Sequence, residues 1–373
     1  MLMSSKVLVI GAGALGNEVI KNLAMLGVGN VVVADMDLVE ESNLSRSILF
    51  REGDVGKSKA NCAARAAREI WPEINIRSLT GNVLAEVGLG YFLWADVVIG
   101  ALDNREARVF VNSTCARLGR PWFDGGIEVL QGVVRGFFAP RTACYECTMS
   151  KVDWELINQR RSCSLLARRA LAERGIPTTP TTASIIAGMQ VTETVKYLHG
   201  LPSLLGRGFV YEGTEHSSYA VNYPINPECP WHEEPPEVES LPLASDTPWR
   251  TIFELLEKRL GKLDAVELSR EIVAKVECSD CQQSVEIWKP AEAVQADRLK
   301  CSRCGKECSP VFLHSIVPGQ AGQLLERTPG NIGLPPWDVF WARRGEEYFG
   351  FEIAGDNPWQ EKTNRAHSPK ENF

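Results

Sequence analysis

The sequence predicts an α/β protein, in which a doubly wound parallel sheet is followed by a smaller cysteine-bearing module. Three observations carry this. A short apolar run feeds a glycine-rich turn and a helix within residues 6–35, strand and helix patterns keep alternating to residue 127, and two close cysteine pairs appear after residue 276. With 373 residues, 44% of them hydrophobic, the chain can bury a large core and support at least one further module. A net charge of -7 and the lack of a basic tract argue against a polynucleotide-binding surface.

The elements follow in order. KVLVI (6–10), GAGALG (11–16), NEVIKNLAMLG and NVVVAD read as strand, tight turn, helix and strand, a βαβ unit with a buried parallel pair. ANCAARAAREI (60–70) suits a helix, INIRSLTGNV (74–83) and ADVVIGAL (95–102) strands, EARVFVNSTCARLG (106–119) a helix, and PWFDGGI (121–127) a strand. An Arg-rich stretch interrupted by Pro177 and Pro180 follows, a crossover insert over 150–182 that is long for a connection and suggests a lid or a small helical insert. The helix TASIIAGMQVTETVKYLHG restores the pattern with Ile186, Met189 and Val195 on one face, and Gly200 and Pro202 mark its end. These elements assign residues 1–235 to the first domain. Residues 236–250, rich in Pro and Glu, read as a linker. A second module over 251–357 is expected to hold a helix near Ile252–Leu260, strands near Ile272–Val276 and Val285–Trp288, and one or two more within Trp337–Ala354. A polar, frayed tail over 358–373 closes the chain.

Gly11, Gly13 and Gly16 let backbone approach a phosphate at a helix N-terminus, and Asp35 ends the next strand where a carboxylate reaches ribose hydroxyls. A strand-end Asp capping a turn is the plainer reading of Asp35. A dinucleotide pattern stops here, yet this sequence continues through DMDLVEESNLSRSILF, DVGKSK and ALDNREAR. These strings add Asn43, the cations Arg46 and Lys59, the carboxylate Asp103 and, one helical turn further, Arg108. Cations and a metal-binding carboxylate in that order describe a pocket for a nucleoside triphosphate, although a loop Arg or Lys taken singly is usually a solvated charge.

The string D-x-D-x-V-x-x-S-N-L-x-R followed by V-G-x-x-K resembles the E1-like superfamily, the ThiF and MoeB type of enzymes that activate sulfur-carrier and ubiquitin-like proteins. The resemblance covers residues 6 to about 232. It implies a Rossmann-like doubly wound adenylation domain in which Asn43, Arg46 and Lys59 engage ATP phosphates and Asp103 coordinates Mg²⁺. The chemistry agrees, because charge building on phosphate oxygens and departing pyrophosphate is met by fixed cations. Two departures stand out: Ser47 replaces the usual Gln, and only five residues precede the first strand, where homodimeric relatives carry a helix whose Arg reaches the partner's ATP.

Of eleven cysteines, six form C-x-x-C pairs, a usage that points to zinc rather than disulfides. Cys144 and Cys147 resemble the family's first zinc knuckle, and Cys229 with His232 keeps the spacing of the second, giving a Cys3His site with buried thiols as the alternative. Cys278, Cys281, Cys301 and Cys304, two pairs separated by nineteen residues, have the spacing of a zinc ribbon over 276–310, with redox-active pairs as the alternative and Cys308 near enough to substitute. Cys62 and Cys115 fall in core helices and read as structural. Cys163, in NQRRSCSLLARR, lies in the interval where thioester-forming relatives hold their nucleophile, and the arginines around it favour a thiolate. A non-catalytic cysteine in a basic surface helix is the competing reading.

The reading is a soluble, cytoplasmic, ATP-, Mg²⁺- and Zn²⁺-using adenylyltransferase. Its expected partners are a ubiquitin-like or sulfur-carrier protein, an E2-like conjugating enzyme and a second subunit in a homodimer or heterodimer, with neither nucleic acid nor membrane. The alternatives are adenylation of another carboxylate such as a peptide C-terminus, a non-catalytic E1-like binding subunit, and an NAD-dependent oxidoreductase. The last leaves the cations and zinc pairs unexplained.

Overall fold

The structure, a computed structural model, describes residues 1–162 and 178–359, with backbone alone for 158–162. Apolar runs form the parallel strands β1 (Lys6–Ile10), β2 (Asn30–Asp35), β3 (Asn75–Thr80), β4 (Val97–Gly100) and β5 (Trp122–Glu128). Strands β1, β2 and β4 are buried on both faces, which is why they lack polar alternation. Antiparallel strands β6 (Gln131–Phe137), β7 (Arg207–Glu212) and β8 (Ser217–Asn222) extend the sheet to the order β3-β2-β1-β4-β5-β6-β7-β8. The winding direction reverses between β1 and β4, so a crevice opens at the carboxyl ends of those two strands.

Among the described residues six helices accompany this sheet: α1 (Ala14–Met25), α2 (Lys59–Ile70), α3 (Gly90–Trp94), α4 (Arg105–Arg117), α5 (Lys151–Ser162) and α6 (Pro180–Leu198). One face is covered by α1, α2 and α6, whose Val19, Leu23, Ala63, Ala67 and Ile186 pack on Val7, Val9 and Val33. Alanines along α2 let that helix lie close to the sheet. The other face carries Leu8, Val98 and Trp122 against Phe92, Val111 and Ile157, and there Val339 and Trp341 arrive from the second half of the chain.

That second half is a six-stranded sheet built from β9 (Val238–Leu241), β10 (Ala265–Glu277), β11 (Ser284–Pro290), β12 (Ser309–Ile316), β13 (Val339–Arg344) and β14 (Glu347–Ile353), with α7 (Trp249–Leu260) packed on it. Here the structure corrects the sequence reading. Residues 236–250 are not a free linker, because Val238–Leu241 pairs in parallel with Gly350–Ile353 and Leu241 is fully buried. The pairing partner lies more than a hundred residues downstream, beyond the reach of a local pattern. The cysteine-bearing segment is continuous with this sheet. Strand β10 pairs with β13 through Ala265–Glu267 and with β11 through its far half, so the cysteine pairs sit at the outer end of one continuous sheet. Trp359, assigned to the tail by the sequence reading, stacks on Trp94 with centroids 4.6 Å apart.

The two sheets meet through buried polar contacts. The Leu89 N–H donates to Asp338 Oδ1 (2.9 Å) and Ser269 Oγ–H to Asp338 Oδ2 (2.5 Å), while Arg270 Nη2 donates to Asp338 Oδ1 (3.2 Å) and to Val87 O (3.1 Å). Gly90 is required at this seam, because a Cβ there would stand 2.5 Å from the Trp337 ring. Among the described residues no helix is long and apolar enough to cross a membrane.

Candidate functional site

Strand β1 ends in the turn Gly11–Gly16, whose glycines serve two different needs. Gly11 has φ +97°, and a Cβ on it would lie 2.2 Å from Ala101 O; a Cβ on Gly16 would lie 2.0 Å from Gly11 O. Both positions therefore pack backbone on backbone. A Cβ on Gly13 would meet nothing within 4 Å, so the N-terminus of α1 faces open space. The donors there are free to receive an anion.

Asp35 closes β2 beside this turn. Its Oδ2 accepts from Ala12 N–H (2.6 Å) and its Oδ1 from Asp37 N–H (2.8 Å). Burial pushes this carboxyl above its ordinary value, against those two hydrogen bonds and the nearby Lys59 ammonium. Two residues on, Asp37 pairs with Lys59 at 2.8 Å, and Lys59 N–H donates to Asp37 O (3.0 Å). Lys59 opens α2, behind the Ser58 cap.

The loop between β2 and α2 holds the other expected groups. Asn43 is buried, and its Oδ1 accepts from Glu40 N–H (3.0 Å), closing a single helical turn over Glu41–Asn43. Arg46 Nη1 donates to Ser42 O (2.6 Å). Ser47, where the resemblance expects Gln, is buried. Sequence reasoning passed over Asn17, which ties this loop to the glycine turn: its Nδ2 donates to Ala12 O (2.7 Å) and Gly13 O (3.1 Å), and its Oδ1 accepts from Leu49 N–H (2.9 Å). It also passed over Asp37, although the D-x-D spacing with Asp35 was a visible signal.

Asp103 stands exposed just past β4, on the other side of the crevice from the glycine turn, and its Oδ1 accepts from Asn104 Nδ2 (3.0 Å). Asn104 caps α4 by accepting from Ala107 N–H (2.8 Å). Arg108 is not available as a cation of the pocket. It is buried, with Nε donating to Asp124 Oδ1 (2.9 Å) and Nη2 to Leu102 O (2.6 Å) and Gly125 O (3.1 Å). Arg135 pairs with the other oxygen of Asp124, and that carboxylate holds Arg135 above its ordinary value even though burial works the other way. Gln190 of α6 joins the ends of β4 and β5 from the opposite face, donating to Gly100 O (2.9 Å) and Phe123 O (3.1 Å).

Two groups of side chains can hold metal. Cys144, Cys147, Cys229 and His232 place their ligating atoms within 4.8 Å of one another, and so do Cys278, Cys281, Cys301 and Cys304. Sulfur–sulfur separations of 3.8 Å (Cys144–Cys147), 3.5 Å (Cys144–Cys229) and 3.6 Å (Cys278–Cys304) are close to the roughly 3.8 Å edge of a tetrahedron with Zn–S bonds of about 2.3 Å. They are far too long for disulfides. A thiol hydrogen bond from Cys144, together with donation from Asn226 N–H and His232, holds Cys147 down at about 4; main-chain N–H groups of Cys304 and Arg303 hold Cys301 down at about 6. Cys144, Cys229, Cys281 and Cys304 are pushed up instead, so each cluster by itself favours one thiolate, the form that ligates. In the ribbon, Gln282 (φ +51°) and Gly305 (φ +74°) each follow a cysteine pair in the left-handed conformation, so the two knuckles repeat one backbone turn. Cys308 is buried beside Cys278 and Cys301 but is not among the four. Cys62 and Cys115 are buried in the core, and burial raises both thiols. Cys163 lies outside the described residues.

With the glycine turn, the loop cations and the paired knuckles in place, comparison with known proteins decides the family. The ThiF family matches residues 1–231. The chain belongs to the ThiF family. This ThiF-family chain is 32% identical over 241 residues to the SAMP-activating enzyme E1 of Haloferax volcanii, covering 61% of the chain and 80% of that protein. It is 39% identical over 153 residues to the SUMO-activating enzyme subunit uba-2 of Caenorhabditis elegans, covering 41% of the chain and 26% of that protein. Ubiquitin-like modifier-activating enzyme 5 of Dictyostelium discoideum matches at 29% identity over 240 residues, 60% of each chain. The match thus spans about a quarter of the SUMO-activating subunit. Escherichia coli MccB, solved with AMPCPP and MccA, shares the fold with a TM-score of 0.52 at 23% identity, over 62% of this chain and 67% of that one.

Proposed function

We propose that this ThiF-family chain adenylates the C-terminal carboxylate of a ubiquitin-like or sulfur-carrier protein with ATP. What supports the reading is the open helix N-terminus at Gly13 beside the strand-end Asp35, Lys59 paired with Asp37 two residues further on, Arg46 in the loop that Asn17 ties to the glycine turn, and Asp103 exposed after β4, the parallel neighbour of β1. The names of the relatives, activating enzymes for SAMP, SUMO and ubiquitin-like modifiers, support the class of substrate.

In this reading Gly11, Gly13 and Gly16 shape the phosphate-binding turn, Asp35 accepts from ribose hydroxyls, and Asn43 fixes the loop that presents Arg46. A carboxylate oxygen of the carrier bonds to the α-phosphorus while the bond to the bridging oxygen breaks, and pyrophosphate leaves with the electron pair. Lys59, steadied by Asp37, and Arg46 face the charge that accumulates on it. Asp103 would hold Mg²⁺, which when bound neutralises phosphate charge. The Cys3His site and the ribbon would hold structural Zn²⁺, and thiols kept as metal ligands suit a reducing, cytoplasmic compartment. We assign the ribbon to recruitment of the carrier or an E2-like partner, and a second subunit to a homodimer or heterodimer.

Adenylation is tested by mixing the protein with ATP and candidate carriers, following pyrophosphate release and measuring intact mass. Release with a folded carrier is the expected result; release only with a short peptide would transfer the assignment to peptide C-termini. We further propose that the Cys163 thiolate attacks the acyl adenylate carbonyl, forming a thioester and expelling AMP. A Cys163→Ser protein that still yields the same thiol-sensitive adduct overturns that step.

A further inference from the structure

We propose that Arg108 is a positioning residue that sets the place of Asp103, an inference that rests on the reading of the crevice as an Mg²⁺–ATP site. Asp103 lies three residues past the end of β4 and is held at two points. Its side chain accepts from Asn104, which is fixed in turn by capping α4. Its main chain is held one residue earlier, where Leu102 O accepts from Arg108 Nη2 at 2.6 Å. The same nitrogen donates to Gly125 O (3.1 Å), and Nε donates to Asp124 Oδ1 (2.9 Å). One planar guanidinium therefore bolts the segment that follows β4 to two successive residues of β5.

The anchor is rigid. Asp124 is fully buried, stands opposite Arg135 in the β5–β6 register, and has its other oxygen occupied by Arg135. Gln190 adds a second tie between the same strand ends, from Gly100 O to Phe123 O. Arg108 is thus spent on structure that ends one residue short of the exposed carboxylate. A lysine could keep the charge, but a single ammonium cannot reproduce the fork that reaches three acceptors on two strands.

The experiment measures binding without turnover. Full-length protein is titrated with ATP by calorimetry across a range of Mg²⁺ concentrations, comparing wild type, Arg108→Lys, Arg135→Lys, Asp103→Asn and the Arg108→Lys/Asp103→Asn double variant, each checked for an intact melting transition. Groups that orient a metal ligand are worth about 10–100-fold in metal affinity. Arg108→Lys is therefore expected to raise the Mg²⁺ needed for half-maximal enhancement of ATP binding by at least about tenfold, with ATP binding in chelator unchanged. In the Asp103→Asn background the same change is expected to do nothing more. Arg135→Lys, which keeps a cation beside Asp124 and leaves the Arg108–Leu102 contact alone, is expected to behave as wild type. Arg108→Lys with wild-type Mg²⁺ dependence overturns the proposal, as does an effect that persists without Asp103. Should Arg108→Lys fail to fold, Asn104→Ala, which removes the other support of Asp103, takes its place: its effect must likewise vanish without Asp103. If wild type binds ATP without any response to Mg²⁺, the reading of the crevice itself fails, a result distinct from all of these.

Discussion

Two alanine substitutions three residues apart in the glycine turn should have opposite consequences. Gly16→Ala places a methyl 2.0 Å from Gly11 O and 2.7 Å from Gly11 C, both backbone atoms that cannot rotate aside. Overpacking of this kind costs about 1–3 kcal/mol or more. At roughly 2–4 °C per kcal/mol for a domain of this size, the upper end predicts a melting temperature lower by about 10 °C. Gly13→Ala meets nothing within 4 Å, and its φ of -71° and ψ of -159° are open to any L residue. Stability should hold, or rise by up to about 1 kcal/mol through a less flexible unfolded chain. Its methyl, however, projects at the open end of α1, where a phosphate must approach main-chain N–H groups. Losing one or two charge-assisted hydrogen bonds costs about 1.5–3 kcal/mol each, so ATP binding should weaken by about 10–100-fold or more. Thermal melts and nucleotide titration of the two variants separate the effects. Gly13→Ala binding ATP as well as wild type would refute phosphate docking at this turn, and Gly16→Ala melting like wild type would refute the backbone contact.

Three further outcomes follow from other parts of the molecule. The protein should contain two equivalents of zinc by elemental analysis, and Cys281→Ser should lose one of them while increasing hydrogen exchange across 278–308, where the small core depends on the cysteine cluster. The Arg65 guanidinium beside Asp54 holds that carboxyl down at about 2, so its contribution is present above the unfolded carboxylate range and lost as pH falls toward 2. Asp54→Asn should remove that acid dependence from the melting curve, at a cost near neutral pH of roughly 1 kcal/mol after allowing for the partial exposure of Arg65. Asp338→Ala strands Arg270 as an unpaired buried charge and should destabilise the protein by about 3–5 kcal/mol in chemical denaturation.

The parallel half of the first sheet was legible because each of its elements carries its own local signal, whereas the antiparallel extension β6–β8 was not foreseen. Buried runs such as Val97–Gly100 lack alternation, Gly11 and Gly16 sit where only glycine fits, and Ser58 and Asn104 cap helices that open next to Lys59 and Asp103. What escaped was long-range partnership. Arg108 stands in sequence like another cation of the pocket, and only the fold shows its guanidinium turned to Asp124, sixteen residues on. Asn17 reads as an ordinary polar residue in a helix, yet it is completely buried and bridges to Leu49. Val238–Leu241 sits among prolines and glutamates, and its strand exists because Gly350–Ile353 supplies the pairing. The two groups of potential metal ligands were readable for the reverse reason: close Cys and His pairs remain in the sequence even when the pairs themselves are distant.

The packing of the second sheet alters how the ribbon can be studied. Val339 and Trp341 belong to the core on the α3–α4 face of the first sheet, Arg270 lies over Phe110 at 5.8 Å, and Arg117 lies over Trp341 at 4.8 Å. The second sheet therefore serves as part of the outer layer of the first, covering the helix that begins beside Asp103. Cutting the chain near residue 236 would strip that cover, expose the apolar face of α4 and disturb the crevice whatever the ribbon does. The ribbon can be removed more narrowly. Strand β10 pairs with β13 through Ala265–Glu267, short of the cysteine pairs, and its bulge after Glu267 brings Ser269 and Arg270 to Asp338. Replacing only residues 278–308 keeps those contacts on the α4 side. A loss of activity on a whole carrier with pyrophosphate exchange on a tail peptide intact then speaks of recruitment rather than of a damaged adenylation site.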